Sequence, residues 1–257
     1  MDTTPYMEVL QLAGKIIMEN GGETYRAEET ICRMGQGFGL REVESFAVPS
    51  GIFISYRGAD DMLVTGVKRV RREGRNLTRV DETNRVSRMV AAGQMDCGEA
   101  LKELRQIEEM PGPFRRFWKI AAAFLCAAGF SVLFGGMWPD VLTAGIAAAA
   151  VQLVSVMMER VHMRWLASAI VGGFLTALLP HLAQILLPVL QSDVVIAGAV
   201  MPLVPGLAMT NAVQDAMRGD MVSGMSHGVQ ALLTACLIAG GALLASGMIR
   251  MIAGGGF

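Results

Sequence analysis

From Phe117 onward the apolar positions come in long runs instead of stripes, at about 117–137, 139–158, 164–188, 193–214 and 222–249. Each run approaches the ~20 residues needed to cross ~30 Å of hydrocarbon, and together they predict five membrane spans. Ahead of Phe117 the pattern changes. Val9, Leu12, Ala13, Ile16 and Ile17 recur at helical spacing within 6–19, and Asn20-Gly21-Gly22 supplies a helix stop. A second helix is predicted from Thr24 to Met34. VESFAV (43–48) and GIFISY (51–56) read as strands parted by Pro-Ser-Gly, with MLVTGV (62–67) as a third. Helices are predicted at 77–92 and 96–109, before a Pro-Gly-Pro linker at 111–113. The expected architecture is therefore an N-terminal cytoplasmic α+β domain (1–113), ordered ααβββαα, followed by an all-α bundle of five transmembrane helices (114–257).

Charge divides at the same place. Through Arg116 the chain holds 17 Lys and Arg against 18 Asp and Glu, and beyond it only 5 of each sign. The net charge of −1, with no zinc-finger spacing, aromatic RNA-binding motif or basic face, argues against nucleic acid as a partner. Cys32, Cys97, Cys126 and Cys236 are far apart, which suggests packed thiols and neither a metal site nor a disulfide framework. The opening MDTTPYMEVLQL lacks the basic segment and apolar core of a secretory signal, so the first domain is expected in the cytoplasm.

Interface residues support the segmentation. Trp118 and Trp138 bracket the first span, and Trp165 stands at the start of the third. Arg115, Arg116 and Lys119 precede span one, Arg160 and Arg164 separate spans two and three, and Arg218 separates four and five. The opposite loops, MWPD and PVLQSD, carry acids and no Lys or Arg, which places the N-terminus inside and the C-terminus outside; Arg250 goes against the rule. AGIAAAA (144–150), Gly172-Gly173, Gly240-Gly241 and the Gly224/Gly228 pair are expected to let helices approach closely.

Several stretches invite an enzymatic reading and do not sustain it. GQGFG (35–39) follows a helix and precedes a strand, the reverse of a dinucleotide-binding turn, and reads as a helix stop. KRVRREGR (68–75) reads as a solvated charged face that could also meet anionic headgroups. The first domain has no histidine, so Ser-His and Cys-His mechanisms within it are excluded. A carboxylate hydrolase using Glu23, Glu28, Glu29, Asp60 or Asp61 stays open as a lesser alternative, as does a membrane-anchored scaffold. No P-loop occurs, so ATP is not the direct driver, and no cofactor or metal is expected.

The unusual segment is MPLVPGLAMTNAVQDAMRGD (201–220). Pro202 and Pro205 remove two backbone donors and Gly206 adds freedom, which suggests either a packing kink or a broken helix of the kind transporters use to expose backbone groups. Asn211, Asp215 and Arg218 fall on one helical face, where Asp215 could pair with Arg218, or the two could simply mark the cytoplasmic end of the helix. Polar groups inside a bilayer are costly and so point to function. Each span histidine, His181 and His227, could serve a structural or interfacial role or couple transport to protons; His227 should lie near the level of Asp215, which makes His227 and Asp215 the proton-coupling candidates.

GGETYR (21–26), VPSGIF (48–53), VKRVRREGRNLTRVDETNRVSR (67–88) and the 201–220 segment resemble the threonine/serine exporter family (ThrE-type, including YjjP-like half transporters) over nearly the whole chain. Family members often carry Thr where Ser50 stands. The resemblance implies a subunit of a secondary exporter in the bacterial inner membrane, for small polar substrates such as threonine, serine or dicarboxylates like succinate. The broken span and its polar face make Pro202, Pro205, Gly206, Asn211 and Asp215 the candidate transport residues, and the shared stretches of the soluble domain hold Glu23, Arg26 and Ser50. The resemblance also implies the split form, an oligomer with a second small multi-span membrane subunit.

Overall fold

The computed structural model describes residues 4–58, 60–71, 74–112, 114–160 and 165–252. Arg72, Glu73 and Arg164 lie outside the described residues, as do the side chains of Arg160 and Trp165. The chain forms two compact units, Met1–Pro113 with Leu207–Gly228, and Phe114–Gly206 with Val229–Phe257. A short stretch expected among the spans thus packs with the N-terminal residues.

In the first unit the elements run α1 (Thr4–Glu19), α2 (Thr24–Gly37), β1 (Arg41–Val48), β2 (Gly51–Arg57), β3 (Leu63–Arg69), α3 (Leu77–Ala91) and α4 (Cys97–Glu109). The strands form an antiparallel sheet in the order β1-β2-β3. Strand β2 alternates, with Ile52, Ile54 and Tyr56 facing inward and Phe53 outward. The predicted apolar stripe of α1, from Val9 to Ile17, closes the same core. Burying each such side chain contributes about 1.5–3 kcal/mol. Sheet and helix approach closely at Gly66, where a Cβ would come within 2.5 Å of the Met7 sulfur.

Local chemistry sets the element ends. The Asn76 side chain accepts from Arg79 N at the start of α3, and Asp96 with Glu99 forms a reciprocal capping box at the start of α4. Helix α2 runs three residues past the predicted Met34 because its glycines suit packing. A Cβ on Gly35 would press on Val43, and one on Gly37 would lie 2.8 Å from the Val90 carbonyl oxygen. The helix ends at Gly37, and two residues on Gly39, with a left-handed φ of +74°, turns the chain away.

The second unit contains α5 (Arg116–Leu133), α6 (Trp138–Arg160), α7 (Trp165–Leu186), α8 (Ser192–Val200) and a 3-10 turn (Met201–Leu203). Two further helices follow, α9 (Gly206–Met217) and the 32-residue α10 (Met221–Ile252). Among the described residues, four helices are long and apolar enough to cross a membrane, or five if the bent pair α8–α9 is one span. Small residues let them meet: a Cβ on Gly173 would collide with the Ile238 backbone, and one on Gly241 with that of Ile170. Asp140, read from sequence as a loop acid, is 1 % exposed. Its carboxylate accepts from Met137 N and Gln191 N, both at close to 2.9 Å, and so ties the α5–α6 connection to the start of α8. The cysteines are free, and Cys236 is exposed instead of packed.

Candidate transport site

The helix is interrupted ahead of α9. Helix α8 gives way to the 3-10 turn at Met201, Val204 is extended (φ −58°, ψ 130°), and Gly206 N donates to Val204 O across Pro205 at 2.8 Å. Proline cannot supply the helical N–H there, so the ladder restarts only with α9. Helix α9 then presents Asn211 and Asp215 one turn apart, 5 % and 0 % exposed.

Asp215 faces α10 at a close crossing. A Cβ on Gly224 would lie 2.9 Å from Ala212 O and 3.0 Å from Ala216 N, so only glycine allows this approach. The crossing brings His227 Nδ1 to 3.0 Å from Asp215 Oδ2, an oxygen that also accepts from the Thr24 hydroxyl at 3.2 Å. Thr24 is the first residue of α2, so the carboxylate meets the positive end of that helix. Asn211 Nδ2 donates to Gly21 O at 3.5 Å. Asp215 Oδ1, Gln214 Oε1 and Ser223 Oγ are buried with no hydrogen-bond partner among the described residues.

Asp215 does not pair with Arg218, although the helical spacing suggested it. Helix α9 ends at Met217 and Gly219 turns left-handed (φ +90°), which carries Arg218 off the Asp215 face and sets its guanidinium 3.4 Å from the Tyr25 ring centroid. Glu23 and Arg26 form an ion pair of 2.7 Å. Burial pushes the Glu23 carboxyl up, but the Arg26 hydrogen bond and the charges of Arg26 and Arg218 outweigh it and hold Glu23 below its usual range. Glu28, bonded to Ala47 N, is held above its usual range by burial, with the negative charges of Asp220 and Asp215 adding to the effect. Ser50 lies in the β1–β2 turn, where its carbonyl accepts from Val70 N. Pro202 and Pro205 flank the break.

Thr24 and Ser223 escaped the sequence reading. Thr24 stood within GGETYR without an assigned role, and Ser223 sits one helical turn before His227, a spacing that would have flagged it. In the second unit, His181 Nε2 meets Ser246 Oγ at 3.2 Å, and Gln184 donates to Leu190 O at 3.1 Å.

Long apolar helices joined to a broken helix mark a membrane-embedded protein of several spans. Residues 8–249 match the family described as "Putative threonine/serine exporter", and the chain belongs to that family. It is 21% identical over 242 residues to a "Probable threonine/serine exporter" of Mycobacterium tuberculosis, covering 93% of this chain and 46% of that protein. It is 24% identical over 221 residues to the "Probable succinate transporter subunit YjjP" of Klebsiella aerogenes, covering 85% of this chain and 84% of that one. A "Threonine/serine exporter" of Corynebacterium glutamicum is 25% identical over 64% of this chain and 35% of its own length. The chain therefore spans less than half the length of the two exporters and most of the YjjP subunit. No solved structure matches it. The family is one of transporters, not of enzymes.

Proposed function

We propose that this chain is a subunit of a secondary exporter for small polar metabolites, of the threonine/serine type or dicarboxylates such as succinate. Residues 1–113 lie on the cytoplasmic side of a bacterial inner membrane and the C-terminus on the far side, in keeping with the basic residues Arg115, Arg116, Lys119 and Arg218. A second small multi-span subunit completes the transporter, as the subunit naming of the YjjP relatives suggests.

The observation that carries this reading is Asp215, fully buried on a helix that restarts after a break, and hydrogen-bonded to both Thr24 and His227. A buried carboxylate is costly unless its charge is matched, so it favours states that bring it a proton, a cation or a donor. Asp215 and His227 together exchange a proton, and the change in charge alters how the Asn211–Asp215 face holds substrate. Thr24 from α2 hydrogen-bonds Asp215, and Glu28 from α2 lies within electrostatic reach of Asp215 and of Asp220 in the α9–α10 turn. Pro202, Pro205 and Gly206 supply the freed backbone groups. The Glu23–Arg26 pair holds the first turn of α2 in place, and Ser50 fixes the β1–β2 turn.

Efflux of labelled threonine, serine and succinate from vesicles holding the chain and its partner subunit tests the proposal. The expected result is efflux of at least one substrate down an imposed gradient, lost in an Asn211→Ala, Asp215→Asn double variant. Equal efflux from both proteins would remove the site, and no efflux under any gradient would favour a scaffolding role.

A further inference from the structure

The three-stranded sheet buries one face and leaves the other bare. Of the six large apolar side chains exposed among the described residues of 4–112, four stand on its strands: Phe46, Phe53, Leu63 and Val67. Three of these form a single row, because Phe46 pairs with Phe53 across β1–β2 and Phe53 with Val67 across β2–β3. The two rings lie 6.3 Å apart, centroid to centroid. They are 53 % and 45 % exposed, and Val67 is 61 % exposed.

Charge frames this row unevenly. At the end of the sheet nearest the β2–β3 turn, Arg57 pairs with Glu42 and Arg41 with Asp61, so those four charges cancel locally. The two charges left on this face, Glu44 and Arg69, take part in no ion pair among the described residues. Glu44 lies two residues before Phe46 on β1, in the row of Ser55, and Arg69 two residues after Val67 on β3, in the row of Gly51. They stand at opposite corners with Phe53 between them.

We infer that this face is a contact between two copies of the chain, packed about a two-fold axis at Phe53. An axis lying in the contact plane and perpendicular to the Glu44–Arg69 diagonal carries each corner onto the other, so Glu44 of one copy faces Arg69 of the second, and the reverse. The same operation sets Phe53 against its own counterpart, giving an aromatic centre with charges at the rim. An anionic bilayer is a poorer occupant. Arg41, Arg57 and Arg69 on this face and its edge are matched by Glu42, Glu44 and Asp61, which leaves no net charge to draw it. Three strands ~4.8 Å apart, with ~3.3 Å per residue, make a face of roughly 300 Å² per copy, against ~800 Å² per partner in a standard interface. Such a face is too small to hold freely diffusing domains together. Copies confined to one membrane by their spans meet at a much higher effective concentration, where a small matched face suffices.

Cross-linking of the full chain in lipid vesicles, with and without the second subunit, is the test. Phe53→Cys is compared with the wild-type chain, whose own four cysteines set the background, using a bismaleimide able to bridge the ~10 Å between packed sheets. Phe53→Cys should give a covalent dimer well above that background. Added to Phe53→Cys, Glu44→Arg or Arg69→Glu should each lower the yield about threefold or more, because symmetry makes every reversed charge act twice. Both reversals together should restore it. No dimer above background would overturn the inference, and so would a double reversal no better than either single one. A thiol shielded from a water-soluble maleimide only in anionic vesicles, without a dimer, would assign the face to lipid instead. A link to the second subunit in place of a dimer would assign it to that subunit. Val67→Cys, on the same exposed row, carries the same series if Phe53→Cys fails to fold.

Discussion

Gly224 and Gly228 form one Gly-x-x-x-Gly repeat, yet substitution of each by alanine should have opposite consequences. Both sites lie inside α10, and each Gly→Ala change gains about 1 kcal/mol of helix propensity. At Gly228 the new methyl would meet only the Ala212 Cβ, at an ordinary 3.8 Å. At Gly224 it would lie 2.9 Å from Ala212 O, 3.0 Å from Ala216 N and 3.1 Å from Ala216 Cβ. Comfortable carbon contacts are about 3.5–4.0 Å, so α9 and α10 must separate by roughly 0.5–1 Å. Overpacking of this kind costs about 1–3 kcal/mol. At about 2–4 °C per kcal/mol for a chain of this size, Gly224→Ala should melt about 2–12 °C below Gly228→Ala, and Gly228→Ala at or above wild type. The same separation would stretch the 3.0 Å Asp215–His227 contact past hydrogen-bonding range, so only Gly224→Ala should lose transport. Thermal unfolding of the purified chain and vesicle efflux read the two effects. Indistinguishable melting points, or full transport in Gly224→Ala, would refute the close crossing.

Other consequences can be checked independently. Asp140→Ala should destabilise by about 1–3 kcal/mol, because two backbone N–H groups lose their buried acceptor, whereas Asp140→Asn should recover part of this; melting of the two variants compares them. Asp96→Ala should cost about 1 kcal/mol through the α4 capping box, seen as a small drop in melting temperature with transport unchanged. Glu28 is held above its ordinary range in the folded protein, so the folded state keeps its proton at higher pH than the unfolded chain does. Its contribution is therefore present at low pH and lost as pH rises through the folded value, and Glu28→Gln should flatten the melting profile just above the normal glutamate range. Thr24→Val removes one donor from Asp215 while keeping side-chain shape, and should shift the pH profile of efflux more than it lowers the melting temperature.

The fold was legible where one periodicity sufficed. The α1 stripe and the alternation in β2 follow from local rules and appear where those rules place them, and of the glycines expected at helix crossings Gly173, Gly224 and Gly241 sit at close ones whereas Gly240 meets nothing within 4 Å. The site was legible only in part. Asn211, Asp215 and His227 declared themselves as polar groups among apolar ones, but the partners of Asp215 did not. A helical wheel paired it with Arg218 because a wheel does not register that α9 stops at Met217. Its actual donor, Thr24, comes from 191 positions earlier, a contact made by tertiary packing that no short-range pattern contains. The role of Asp140 was illegible for a related reason: the sequence shows only an acid in a short loop, and its second donor, Gln191 N, comes from a connection 51 positions later.

The most direct measurement follows proton movement during substrate efflux. Vesicles holding the chain and its partner, loaded with substrate and an internal pH dye, should show a proton flux that accompanies efflux in the wild-type protein. Both fluxes should vanish in Asp215→Asn, and His227→Gln should uncouple them, leaving efflux that no longer responds to a pH gradient. Proton-coupled efflux that persists unchanged in Asp215→Asn would contradict the assignment of Asp215 and His227 as the coupling pair.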